Sequence, residues 1–127
     1  MDFFEVKEMI ANLGLLIVDE VPEEELVVIE DESRGIKGMI VDCEDEMVII
    51  EQPIGRFSEK YYGWFLEKSR YLTFGAFVLD GESKTIFFRN TLRLDTLDLE
   101  EFESTIHSLE IFLAEYGDEI IKMAKDN

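Results

Sequence analysis

The sequence predicts an α+β fold: one twisted antiparallel β-sheet of about five or six strands with three helices, in the order α-β-β-β-(β)-α-β-β-α. Three observations carry that prediction. Segments near both ends repeat apolar residues at three- and four-residue steps, the spacing of amphipathic helices. Between them, short apolar runs follow one another across acidic or glycine-containing turns, too tightly for crossover helices, so they pair as an antiparallel meander. The 127 residues contain no internal repeat, low-complexity tract or dividing linker, so a single domain over 1–127 is expected.

The first helix runs from Asp2 to Leu13. Asp2 can cap it, Glu5 can close a capping box, and Met1 and Val6 are placed to staple across the cap. Phe3, Val6, Ile10 and Leu13 form its apolar stripe, and Gly14 is a natural stop. The strands "LLIVDEV", "ELVVIED", "GIKGMIVDC" and "MVIIEQ" follow, and Pro53 and Gly55 end the meander. A second helix is expected from about Ser58, as N-cap, to Tyr71.

The hairpin from about Phe74 to Leu94 lacks the alternation of a strand with one wet face. In "FGAFVLDGESKTIFFRN", Phe74, Ala76 and Val78 fall on one side, while Gly75, Phe77 and Leu79 fall on the other. Phe87 and Phe88 are adjacent, so they point to opposite faces. Both faces call for burial. Asp80 reads as a turn former and not a ligand. The third helix starts at Asp98, with Glu101 to close a capping box and Leu97 and Phe102 in staple positions. Phe102, Ile106, Leu109, Leu113, Tyr116, Ile120 and Met123 make its stripe.

A 46% hydrophobic content marks a folded chain, and the net charge of −18 repels phosphate backbones and anionic membranes. Neither nucleic acid nor a membrane is therefore expected as a partner. The single Cys43 excludes an internal disulfide and a multi-thiolate metal site, and its neighbours Asp42, Glu44 and Asp45 raise a thiol pKa. The acidic start lacks the basic region of a signal peptide, and "LGLLIV" is far below the ~20 residues of a membrane span. We expect a soluble protein of a reducing compartment, most simply the cytoplasm.

Catalytic signals are weak. No glycine-rich phosphate loop, paired-Cys motif or His-Glu metalloprotease helix occurs. His107 lies beside the third helix's apolar seam, flanked by Glu103 and Glu110, and reads as an exposed helix residue. The acidic runs at Glu23–Glu25, Glu30–Glu32 and Asp42–Glu46 read as solvated turns. The last lacks the glycine of a calcium loop and has Pro53 at its twelfth position. We expect no catalytic residue, metal or cofactor.

Charge and aromatic residues are unevenly spread. Residues 1–55 carry −13, residues 94–127 carry −8, and residues 56–93 carry +3 with ten of the fifteen aromatics. Around the second helix, Tyr71, Trp64, Leu72, Tyr61, Phe65, Tyr62 and Leu66 spread over roughly 220°, where one core face needs only a ~100° stripe. The excess faces another protein or is covered by the rest of this one. A twofold interface is the leading expectation, because the less acidic segment would meet its own copy with little repulsion.

The pattern "LVVIEDESRGIKGMIVDCEDEMVIIEQPIG", an aromatic helix, and then "RYLTFGAFVLDGESKTIFFRNTLRLDTLDLEEFESTI" resembles the YbjN family. Its members are labelled bacterial sensory transduction regulators and share a fold with the type III secretion chaperones of the Tir-chaperone class. The resemblance spans nearly the whole chain and rests on element order and on the "GAFVLD" and "FRNTLRLD" segments. It implies a small acidic secretion-chaperone-like protein, commonly a homodimer, that binds other proteins and is not an enzyme. In the secretion chaperones the second helix and adjoining strands build the dimer, and client segments wrap outer apolar patches. Carried over, Tyr61, Trp64 and Phe65 are dimer candidates, with Phe77, Leu79, Phe87 and Phe88 beside them. The leading function is thus a non-enzymatic module, chaperone-like or regulatory, holding a protein client or regulatory partner. The alternative is a small-molecule sensor or an enzyme of unrecognised type, with a pocket between helix and sheet. A weaker one is an acidic mimic of nucleic acid.

Overall fold

The structure is a computed structural model that describes residues 1–126. Helix α1 (Phe3–Asn12) opens on Asp2, whose carboxylate accepts the Glu5 N–H at 2.8 Å while the Glu5 carboxylate accepts the Asp2 N–H at 3.2 Å. This is the capping box the sequence predicts. Strands β1 (Leu16–Val21), β2 (Leu26–Asp31), β3 (Ile36–Glu44) and β4 (Met47–Arg56) then form the antiparallel meander. Single 3₁₀ turns at Pro22–Glu24 and Glu32–Arg34 link the first three strands. The second turn ends on Gly35 at φ 75°, a left-handed conformation that glycine adopts without penalty.

Pro53 and Gly55 do not end the meander. β4 continues to Arg56, paired throughout with β6 (Thr85–Arg93), and a bulge between Pro53 and Gly55 absorbs the missing proline N–H. The buried Gln52 amide supplies bonds beside the bulge. Its Nε2 donates to the Lys37 and Pro53 carbonyls at 2.6 and 2.8 Å, and its Oε1 accepts the Lys37 N–H at 3.2 Å.

The second helix is also not one continuous helix. Glu59–Tyr61 is a 3₁₀ turn, α2 proper is Tyr62–Lys68, and Ser69–Tyr71 is again 3₁₀. Gly63 and the crowd of aromatic side chains are weak helix formers, and Ser58 makes no side-chain cap. Strand β5 (Ala76–Asp80) pairs with β6 across a turn that Asp80 shapes, accepting the Ser83 N–H and hydroxyl. The six strands lie in the order β1-β2-β3-β4-β6-β5, so β1 and β5 are the edges.

Helix α3 (Leu99–Lys125) has 27 residues, about 40 Å at 1.5 Å per residue. Asp98 caps it by accepting the Glu101 N–H at 2.8 Å. Its Phe102, Ile106, Leu109, Phe112, Ile120 and Met123 are buried with α1 residues Val6, Met9 and Ile10 in the same core as Val27, Ile29, Val41, Val48, Ile50 and Phe88 of the sheet. Leu113 and Tyr116 of the predicted stripe pack only partly into that core.

Polar ties hold α3 in place. The Arg34 guanidinium bridges Glu103 at 3.1 Å and Glu110 at 3.2 Å, joining the β2–β3 turn to the helix. The Ser108 hydroxyl accepts the Phe74 N–H at 3.0 Å and donates to the Phe74 carbonyl at 2.8 Å. Directly after this tie, Gly75 stands at φ +83°, where a Cβ would lie 2.6 Å from the Phe88 ring. A side chain at this position would collide with the core.

Candidate protein-interaction surfaces

All three helices pack against one face of the sheet. Successive side chains in a strand alternate sides, so strand register places a second set of residues on the other face. Val28, Ile40, Glu51, Arg89 and Ala76 lie side by side across five strands. Leu26, Asp42, Ile49 and Thr91 form the next row, and Phe87 sits between Pro53 and Val78. Every one of these residues stays partly or fully exposed. The face therefore has an apolar interior, and among the described residues no helix lies over it. Two open concavities lie on it, one beside Met47 and Ile49 and one beside Ile40, Val78 and Phe87, and both are lined by Arg89.

A second apolar surface lies around α2. Leu66 is 71% exposed and Tyr71 59% exposed, with Phe74 nearby in the chain. The Lys68 ammonium lies over the rings of Tyr116, Tyr71 and Trp64 at 4.9, 5.4 and 6.0 Å, a cation–π arrangement that keeps a positive charge among aromatic side chains. Lys60 pairs with Asp126 at 2.7 Å, and the Tyr61 hydroxyl donates to the same carboxylate. Those two partners hold the Asp126 carboxyl below the usual range, Lys60 first. Among the described residues β5 pairs with β6 alone, which leaves its other edge unpaired.

The expected interface residues divide. Phe65, Phe77 and Phe88 are 1%, 4% and 0% exposed, packed in the chain's own core, and so present no area to a partner. The excess apolar arc of the second helix is in this part explained from within: Phe65 meets Phe57, Trp64 and Phe77 edge-on or tilted. Trp64 is only partly exposed, set against Phe112 and Tyr116. Tyr61 and Phe87 are partly buried, Tyr61 tied to Asp126, whereas Leu79 stands at the surface. Leu66 and Tyr71 on the α2 surface belong to the broad apolar arc that the sequence predicts for the second helix, whereas Val28, Ile40 and Ile49 on the open sheet face were not singled out from sequence. Their signal was present. Val27–Val28, Met39–Ile40–Val41 and Val48–Ile49–Ile50 are adjacent apolar residues that must face both ways, as in the hairpin.

The CesT_Tir_1 family model matches residues 1–126, which is to say the whole described chain. The chain belongs to the CesT_Tir_1 family. No curated protein matches it significantly. Among solved structures, the fold is similar to the crystal structure of YbjN from E. coli, whose proposed role is that of a transcription regulator. The TM-score is 0.69 over 94% of this chain and 93% of that one, at 9% identity, so the likeness concerns the fold. The CesT_Tir_1 family is type III chaperone-like, which fits a protein-binding module.

Ionisable groups on this CesT_Tir_1 sheet divide with the faces. Cys43 points into the core, where burial first, then the Glu25 and Asp42 carboxylates, push its thiol up to about 11. A thiol so protonated is inert as a nucleophile. Asp42, on the open face, has its carboxyl held above the usual range by burial, then by Glu44, Glu24 and Glu51. His107 is exposed, its Nδ1 3.1 Å from Glu110. Among the described residues, no helix is long and apolar enough to cross a membrane.

Proposed function

We propose that the protein is a non-enzymatic protein-binding module, chaperone-like or regulatory, that acts as one domain and works as a homodimer. The uncovered sheet face carries this reading: Leu26, Val28, Ile40, Ile49, Val78 and Phe87 form an apolar interior without a helix layer. Sheet faces of that kind are normally covered, and large apolar patches mark interaction sites. Its open concavities suit a protein partner better than a small molecule, which favours an enclosing pocket. The charge of −18 argues against nucleic acid and anionic membranes as partners. A buried free thiol suits the cytoplasm.

For the dimer, the α2 surface is the better of the two faces. It offers Leu66, Tyr71 and the outer side of Trp64 beside Lys60, Lys68 and Arg70, in the segment of the chain that is not acidic. Light scattering tests this. The wild type should have twice the chain mass, and Leu66→Glu should halve it with an unchanged circular dichroism spectrum, since Leu66 contributes little to the core. A folded Leu66→Glu protein of dimer mass rejects this surface, and a monomeric wild type rejects the dimer.

A further inference from the structure

The open face has a charge pattern as well as an apolar one. In the paired register, outward positions include Asp19, Glu30, Asp42, Glu44, Glu51 and Asp80, against Arg56, Arg89 and Arg93. Arg93 is taken by Asp95, whose carboxylate it meets at 2.7 Å, and Arg89 lies opposite Glu51 in the ladder. Arg56 shares a row with Asp80 across Thr85, so among the described residues the carboxylates of Asp19, Glu30, Asp42 and Glu44 are the ones on this face left without a cation. Two such faces brought together would set like charges against each other, so a second copy of this chain is the wrong cover.

The geometry suits a helix. β3, β4 and β6 have nine, ten and nine residues, or about 30 Å at ~3.3 Å per residue. A helix of about 18 residues is ~27 Å long and can lie along them. On the other face of the same strands, α1 and α3 already show how helices cover this sheet.

We infer that the open sheet face binds a basic amphipathic helix of another protein, its apolar stripe on Val28, Ile40, Ile49 and Phe87 and its flanking Lys or Arg residues on Asp42, Glu44 and Glu51. The inference rests on the protein-binding reading above and names the partner's chemistry. Such a helix completes a third layer over the sheet, and its cations relieve the crowding of carboxylates around Asp42.

The test uses three synthetic peptides of about 18 residues, enough to span the strands. One has a leucine stripe flanked by lysines, one the same stripe flanked by glutamates, and one the first composition scrambled. Binding is read by fluorescence anisotropy and by amide shift changes on the labelled full-length protein. The lysine-flanked peptide should bind, with shifts centred on Val28, Ile40, Ile49 and Arg89. Ile40→Asn should weaken it about tenfold or more, and Asp42→Asn with Glu51→Gln should weaken it and flatten its salt dependence. The wild-type shift map keeps the test sound if a variant folds poorly. Equal binding of the scrambled peptide reduces the effect to net-charge attraction and overturns the inference. So does a shift map confined to α2, or equal binding of the glutamate-flanked peptide, although both leave a protein-binding module standing. Open-face amides that shift on dilution identify a second copy as the cover, with the same consequence. No peptide binding and no change on dilution overturns both readings.

Discussion

The two faces of this sheet are built from the same strands, and often from adjacent residues, yet they meet different surroundings. Phe88 is fully buried beneath the helices, while Phe87, its neighbour in the chain, stays partly exposed between Pro53 and Val78. Cys43 and Asp42 repeat the contrast: a thiol kept protonated by burial, and next to it a carboxylate on the open side among other carboxylates. The comparison teaches that apolar content alone does not define a core. What defines it here is the helix layer on one side and its absence on the other.

The comparison can be broken by paired substitutions. The largest effect is expected from Phe88→Ala, which removes a fully buried ring from the centre of the core. Such changes cost about 3–5 kcal/mol, to be read as a lower urea midpoint at unchanged slope. A loss under ~1 kcal/mol would mean the inner face is not the core described here.

An intermediate effect is expected from pH. In the unfolded chain the Cys43 thiol ionises near ~8.5, but in the folded protein it holds its proton to about 11. The folded state then binds a proton that the unfolded state has lost, so this contribution is complete below pH ~8.5 and is lost as pH rises toward 11. Wild-type stability should fall over that window by up to about 3 kcal/mol, and Cys43→Ala should remove that part of the slope. Parallel pH profiles for the two proteins would show that the thiol is more accessible than its burial implies.

The smallest effect on stability is expected at Phe87→Ser, about 1 kcal/mol, because the side chain is only partly buried. The same change should weaken peptide binding on the open face. If it destabilises the fold as much as Phe88→Ala, the two faces are not distinct in the way their burial indicates.

Much of the fold was legible in the residues. The Asp2–Glu5 box, the meander and the long third helix all follow from local patterns, and local patterns are what short-range spacing reports. The errors came where tertiary contacts overrode local signals. Pro53 stops an isolated strand, but a bulge and the Gln52 amide let β4 continue beside β6. The second helix breaks into short pieces around rings that pack on α3. Phe112, Thr105 and Ser108 were missed because the stripe was read as a narrow line, whereas α3 lies in a broad trough and uses hydroxyls to hold Phe74 and Asn90. For the surfaces, adjacent apolar pairs signalled that both sides of the strands want cover. Which phenylalanine goes in and which stays out depends on where the helices land, and no local pattern encodes that.

The position of α3 in the chain also has a consequence for synthesis. The strands β1 to β4 emerge in an order that lets each pair with the one before it, but the helix that roofs them comes last, at Leu99–Lys125. During translation the growing sheet passes through a stage in which Val41, Val48 and Ile50 lack much of their cover while Ile40 and Ile49 have none. A nascent chain in that state is sticky on both sides. The −13 carried by residues 1–55 is already present at that stage, and like charge keeps neighbouring chains apart until the roof arrives.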